Sequence, residues 1–351
     1  MTHRSWLFAA VTAAAALSSP LPCPGQGAVD QIYMSKGAPS RGRIPETGIS
    51  RDQVTLEASG GTRQFAVHEI VRITFAEEPS DLNNARTAVL QKNYNLAAQE
   101  LRKLDVSKIQ REVIRHEAEY LRALSQARLA MSEGGDKNAA ITAMLNFVKA
   151  APQSFHFYDA AETLGDLSIS LGKFTDAAKY YTPIASAPWP EYQLKANSAV
   201  GRALLGDKQY DHALTKFEAV IGSDAPAPEA ARQKLLATTG KAICLAETGK
   251  AEEGVTLLQD IISKNDPQDA PLFARTYNAL GRCYLKLNKP KDALLAFLHT
   301  EVLFAGEAEP HAEALYHLGK LWGDMSKSDR AVAARTTLRE RYPGSIWATL
   351  E

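Results

Sequence analysis

A small residue that returns at a near-constant interval constrains this chain more than any other feature. Ala177, Ala213, Gly254, Ala293 and Ala331 stand 36, 41, 39 and 38 residues apart along the sequence. The pattern around them is fullest in Tyr277-x-x-Leu280-Gly281-x-x-Tyr284 followed by Ala293-x-x-x-Phe297. A period of this length means stacked supersecondary units, none of which can bury its apolar face alone. Such a chain builds an extended surface for holding other molecules.

The 351 residues suffice for two ordinary domains, or for one long array with a small appendage. Its 40 basic and 40 acidic residues cancel, so charge gives no reason to expect a nucleic acid or an anionic membrane as partner. Residues 1–28 have the form of an export signal. Thr2-His3-Arg4 is a short positive start, and Trp6 to Leu17 is apolar but well short of the roughly 20 residues a bilayer span needs. Gly25, Gly27 and Ala28 are small enough for cleavage near residues 27–28, which predicts a periplasmic or secreted protein with no stable membrane insertion. An uncleaved anchor is the alternative, and Pro20-Leu21-Pro22 makes Cys23 a poor lipidation site. Cys244 and Cys283 fall near equivalent positions of adjacent repeats, which predicts buried free thiols rather than a disulfide.

Two textures follow the signal. Residues 29–78 alternate in the manner of strands: Val54-Thr55-Leu56 and Phe65-Ala66-Val67 flank Ser59-Gly60-Gly61, a sequence suited to a tight turn. Lys36-Gly37 marks an earlier turn and Ile70 to Phe75 a later strand, so four or five short strands predict a small antiparallel barrel or roll. This segment resembles Sm-like or SH3-like barrels attached to envelope proteins. No basic and aromatic patch supports RNA binding, so the expected role is docking or spacing. Pro79 then breaks the strand texture, with Ser80 or Asp81 available to cap the helix that follows.

Residues 79–351 have a helical period. Tyr94-x-x-Ala97-x-x-x-Leu101, Ala140-x-x-x-Met144-x-x-Phe147, Phe174-x-x-Ala177-x-x-x-Tyr181 and Tyr210-x-x-Ala213-x-x-x-Phe217 are successive second-helix signatures. Gly254 with Ile261, Ala293 with Phe297, and Ala331 with Leu338 continue them. These units resemble the tetratricopeptide repeat family over most of the chain beyond Asp81. The resemblance implies a mainly α, right-handed superhelix of about 6–7 repeats with a concave groove for a protein or peptide. Glycine on the first helix and alanine on the second allow close axial approach, and the aromatic residue four after the alanine is expected to fill the groove against the next repeat. Units of 36–43 residues exceed the family's usual length of about 34. Glu133-Gly134-Gly135 accordingly predicts a lengthened loop.

No catalytic motif is present in the sequence. His68-Glu69 and His116-Glu117 lack a second histidine at metalloprotease spacing, Gly240-Lys241 lacks the rest of a phosphate loop, and no nucleophile elbow occurs. The expectation is a non-enzymatic protein without cofactor or metal. What does recur is a basic residue after the repeat glycine: Arg202, Lys241, Arg282 and Lys320. The resemblance implies that this position faces the groove. Lys195 and Arg275 lie seven residues earlier, nearly two turns, and project to the same side. Asn278 is the one hint of a polar clamp, while Asp159, Glu162 and Asp166 make an earlier unit acidic. The seven groove candidates predict an acidic peptide or protein partner, oriented by charge. The closing segment from Arg341 to Ala348 resembles those of repeat proteins in envelope assembly, and Trp347 and Leu350 are expected to cap the last repeat. The functional expectation is an interaction scaffold of the bacterial envelope. The competing reading is an accessory or carrier subunit of an envelope transport, assembly or degradation system.

Overall fold

The structure, a computed structural model, describes residues 29–132, 135–224 and 228–351. The expected signal segment and Cys23 lie outside the described residues, as do Glu133 and Gly134 of the anticipated long loop.

The first element group is a small antiparallel roll. Strands β1 (Asp30–Met34), β2 (Ser40–Gly42) and β5 (Ile70–Thr74) form one sheet in the order β2-β1-β5. Strands β3 (Gln53–Ala58) and β4 (Gly61–Ala66) form a hairpin closed by Ser59 and Gly60, with Ala58 opposite Gly61. The Arg43–Glu57 bridge joins the two sheets. Alternation turns Ile32, Val54, Leu56 and Ile73 inward. Their core is continuous with Leu82, Leu101, Tyr120, Met144 and Leu164 of the helical region, so the roll and the first repeats share one apolar interior.

Buried charge fixes that junction. Asp30 is 1% exposed; its carboxylate accepts from the Ile44 and Ala76 amides, each at 2.7 Å, and pairs with Arg111. Arg86 lies between Glu78 and Glu117 at 2.7 and 2.8 Å, and the second Glu117 oxygen meets His156 Nε2 at 2.7 Å. Every charge taken out of water here has an opposite partner, which burial requires.

The helices follow as seven pairs among the described residues: α1 (Ser80–Leu90) with α2 (Tyr94–Lys103), α3 (Glu112–Ser132) with α4 (Lys137–Ala150), α5 (Phe157–Ser170) with α6 (Phe174–Ala185), α7 (Pro190–Gly206) with α8 (Tyr210–Ile221), α9 (Pro228–Glu247) with α10 (Ala251–Lys264), α11 (Ala270–Lys286) with α12 (Pro290–Leu303), and α13 (Ala308–Asp324) with α14 (Ser328–Arg341). A short α15 (Ile346–Thr349) ends the chain. Helix α1 starts at Ser80 without the anticipated side-chain cap; the Pro79 carbonyl accepts from Leu82 and Asn83 instead.

The repeating residues account for the spacing of the helices. Ala97, Ala140, Ala177, Ala213 and Ala293 are all fully buried. At Gly254, where alanine was the rule, a Cβ would come within 2.7 Å of the Ala242 carbonyl oxygen and 3.0 Å of Cys283 Sγ, so only glycine fits. The aromatic residues do more than fill the seam to the next repeat. Tyr181 packs on Gly165 and Phe297 on Gly281 of their own first helices, while Phe217 is clasped between Gly201 of its own repeat and Gly240 of the next. Cys244 and Cys283 are buried free thiols, and burial pushes each up to about 12.

Six turns inside the pairs place one residue in the left-handed region at the same point: Lys92, Gly172, Lys208, Gly249, Asn288 and Ser326. Gly249 has φ 89° and no atom near its missing Cβ. Gly249→Ala is therefore expected to cost about 1 kcal/mol through backbone strain alone. Gly60→Ala, equally uncrowded but outside that region, should leave the thermal midpoint unchanged.

The superhelix does not end as an open trough. Its curvature brings the chain's end back to the early repeats, where Lys137 Nζ donates to the Gly344 carbonyl at 2.8 Å across 207 residues of sequence. Ile346 lies against Gly172, where a Cβ would meet its Cδ1 at 2.7 Å. Trp347 packs on Tyr316 and His317, so the final segment covers the last repeat as expected, and it also lines the concave side.

Candidate functional site

The concave side holds a partly open chamber of about 1040 Å³, lined mainly by the first helices of the repeats and by the final segment. Its apolar wall includes Ile169, Phe174, Ile184, Leu236, Ile243 and Trp347. Four of the seven groove candidates line it: Lys195, Arg202, Arg275 and Arg282. The other three do not reach it. Lys241 is drawn back to Glu218 of α8 at 2.9 Å, and Lys320 lies over the Tyr316 ring and bonds its hydroxyl. Asn278 is 1% exposed and acts as an internal tie, its amide donating to the Pro310 carbonyl at 2.7 Å and to Glu313 at 3.0 Å. Repeat equivalence fixes where a Cα sits, but a long side chain goes to its nearest acceptor.

The chamber cations are also not a bare positive ladder. Lys195 pairs with Glu162 at 2.5 Å, Arg202 with Asp166 at 3.8 Å, and Arg275 with Glu309 at 2.8 Å. Arg282 reaches both Glu247 at 3.2 Å and Glu313 at 3.7 Å. Each pair joins neighbouring repeats, at separations of 33 residues for Lys195–Glu162 and 34 for Arg275–Glu309. Sequence reasoning found Glu162 and Asp166 but missed Glu247, Glu309 and Glu313. Opposite charges one repeat apart were the available signal.

Burial raises the Glu162 carboxyl even beside Lys195, and it raises Glu313 even beside Arg282. At Glu247 burial is outweighed by Lys286 and Arg282, which hold the carboxyl below its usual range. Some charged side chains of the lining have no such partner. Arg128, Lys137, Lys208, Arg341 and the carboxylate of Glu307 line it without an ion pair among the described residues. No group of His, Cys, Asp or Glu among the described residues is arranged to hold a metal ion.

Stacked helix pairs, glycine–aromatic notches and a concave chamber define a tetratricopeptide-repeat-like fold with a small N-terminal β roll. Solved structures carry the same fold. A tetratricopeptide repeat protein from Parabacteroides merdae is similar at 16% identity and a TM-score of 0.53, over 74% of this chain and 91% of that chain. Rap protein complexed with competence and sporulation factor is similar at 14% identity and a TM-score of 0.53, over 76% of each chain. NprR in complex with its cognate peptide NprX is similar at 13% identity and a TM-score of 0.51, over 74% of this chain and 77% of that one. No family model matches the sequence. No curated protein matches it either.

Proposed function

We propose that this chain is a non-enzymatic interaction scaffold that holds a peptide or protein segment in its concave chamber. One observation carries the reading: a cavity of about 1040 Å³ whose wall is largely apolar and whose charged side chains without an ion pair are four cations and one carboxylate, Glu307. An apolar wall with a few convergent polar groups is the usual form of a binding site. The fold's likeness to Rap and NprR, each solved with a bound factor or peptide, supports the same use of the concave side. The excess of unpaired cations (Arg128, Lys137, Lys208 and Arg341) over the one unpaired carboxylate, Glu307, favours an acidic partner, whose affinity should fall as salt screens the charges.

The place of action in this reading is the bacterial envelope. The positive start and apolar run of residues 1–28 support export, and no helix among the described residues is long and apolar enough to cross a membrane.

A photo-crosslinking residue placed at Leu236, in the chamber wall, tests the binding face against one at Leu295, 56% exposed on the outer side of α12. In an envelope extract, adducts are expected at position 236 and not at 295. Adducts confined to 295 would contradict the reading.

A further inference from the structure

Three neighbouring first helices present the same two kinds of residue to the chamber. In α5 and α7 the glycines that receive an aromatic ring, Gly165 and Gly201, are followed at the next residue by Asp166 and Arg202. One turn further on stand Ile169 and Leu205. In α3 the small residue is Ala127, buried with Ala140 of α4, and the same steps lead to Arg128 and Met131. All six side chains line the chamber, and each is half-buried. Residues a turn apart share one side of a helix, so two rows run side by side across the repeats, one charged and one apolar.

The charged row has an open end. Asp166 accepts from the Tyr181 hydroxyl at 2.7 Å and lies 3.8 Å from Arg202, so those two charges answer each other. Arg128 belongs to the same series but has no ion pair among the described residues. A guanidinium carries five donors in a fork that matches a carboxylate.

The apolar row sets a spacing. Packed helices lie roughly 8–10 Å apart, so the seats at Met131, Ile169 and Leu205 recur at about that interval. An extended strand returns side chains to one face about every 6.6 Å, and an α-helix about every 5.4 Å, so neither keeps step with three seats. A polyproline II chain has three residues per turn and rises about 3.1 Å per residue, so it returns to the same face about every 9 Å. Its backbone makes no internal hydrogen bonds, and little ordering remains to be done when it enters an apolar groove.

We propose that the chamber's partner is a segment in polyproline II conformation, with an apolar side chain at every third residue and a carboxylate at one end. The apolar side chains sit on Met131, Ile169 and Leu205, and the carboxylate meets Arg128. The inference rests on the peptide-binding reading above and adds the conformation, spacing and polarity of the bound segment.

The test uses the full chain and fluorescent synthetic peptides, followed by anisotropy. The probes are Glu-Leu-Pro-Pro-Leu-Pro-Pro-Leu and the same residues in reverse order, because the row does not fix chain direction. One of the two should bind saturably below about 1 mM. A peptide of the same composition with leucine at every second residue, in either order, should bind at least about tenfold more weakly, the effect of losing an apolar seat. Replacing the probe's glutamate by glutamine should cost about tenfold with the unaltered chain and nothing with Arg128→Met, whose helical circular dichroism should be unchanged. Should Arg128→Met lose helicity, Arg128→Gln takes its place. Failure of both probes to bind overturns the proposal. So does equal binding of the alternating peptide, or an equal glutamine penalty in the chain with and without Arg128. Because the probes need no cellular partner, the two tests fail separately: adducts at position 236 with silent probes refute this pattern and leave the binding face standing.

Discussion

Replacing Arg86 with methionine should destabilise the chain by about 3–5 kcal/mol, the range for removing one partner of a buried ion pair. The side chain is 3% exposed and holds two carboxylates at once, so its loss leaves Glu78 and Glu117 buried without their cation. Urea unfolding at neutral pH measures the loss. Adding Glu117→Gln to Arg86→Met should recover part of it, because residues in one network do not act additively. Glu117 also sets an acid limit. Burial alone would raise its carboxyl, but His156 and Arg86 outweigh that and hold it at about 2, against an ordinary 4.5. A carboxyl depressed in the fold contributes fully above its unfolded value. The contribution, about 3 kcal/mol from a shift of this size, is lost as pH falls from about 4.5 toward 2. In Glu117→Gln that part of the acid transition should disappear. If the wild-type chain and the glutamine variant lose stability in parallel over this window, the network is not what sets it.

Phe217→Ala should cost a similar 3–5 kcal/mol, for a different reason. The ring is fully buried between Gly201 and Gly240, two positions that have no side chain to move into the space. A cavity between two glycines cannot collapse without bringing α7 and α9 together, so the upper part of the range is expected. The effect should extend beyond local stability, because this ring ties one repeat to the next. Slackening there should loosen the distant seat of Ile346 on Gly172, seen as faster amide exchange in residues 344–351. Leu295→Ala, on the exposed outer face, should change stability by less than about 0.5 kcal/mol. A Phe217→Ala loss no larger than that of Leu295→Ala would show that the glycine clasp does not hold the repeats together.

Local rules made the repeats legible in the sequence. Gly165, Gly201 and Gly281 each receive an aromatic ring from the following helix, and one pair of residues at fixed spacing encodes that contact. The β hairpin was legible for the same reason, since Ser59-Gly60-Gly61 states its own turn. The candidate site was half legible. Arg202 and Arg282 face the chamber as their position after the repeat glycine implied, whereas Lys241 and Lys320 found acceptors elsewhere. Their carboxylate partners were missed because each belongs to a neighbouring repeat, beyond the reach of a pattern read along one helix. The closure at Lys137 and Gly344 was not legible at all. It depends on how small rotations between repeats accumulate over the whole array, which no single residue specifies.

A stack of repeats can ordinarily gain or lose a member in evolution, because each one touches only its neighbours. Here the second repeat and the chain's end are joined by Lys137 and Gly344. Inserting or deleting one helix pair would shift that end by the thickness of a helix layer, about 10 Å, and pull the two halves of the join out of register. The molecule is therefore counted as well as stacked, like a bracelet that clasps only at one number of links.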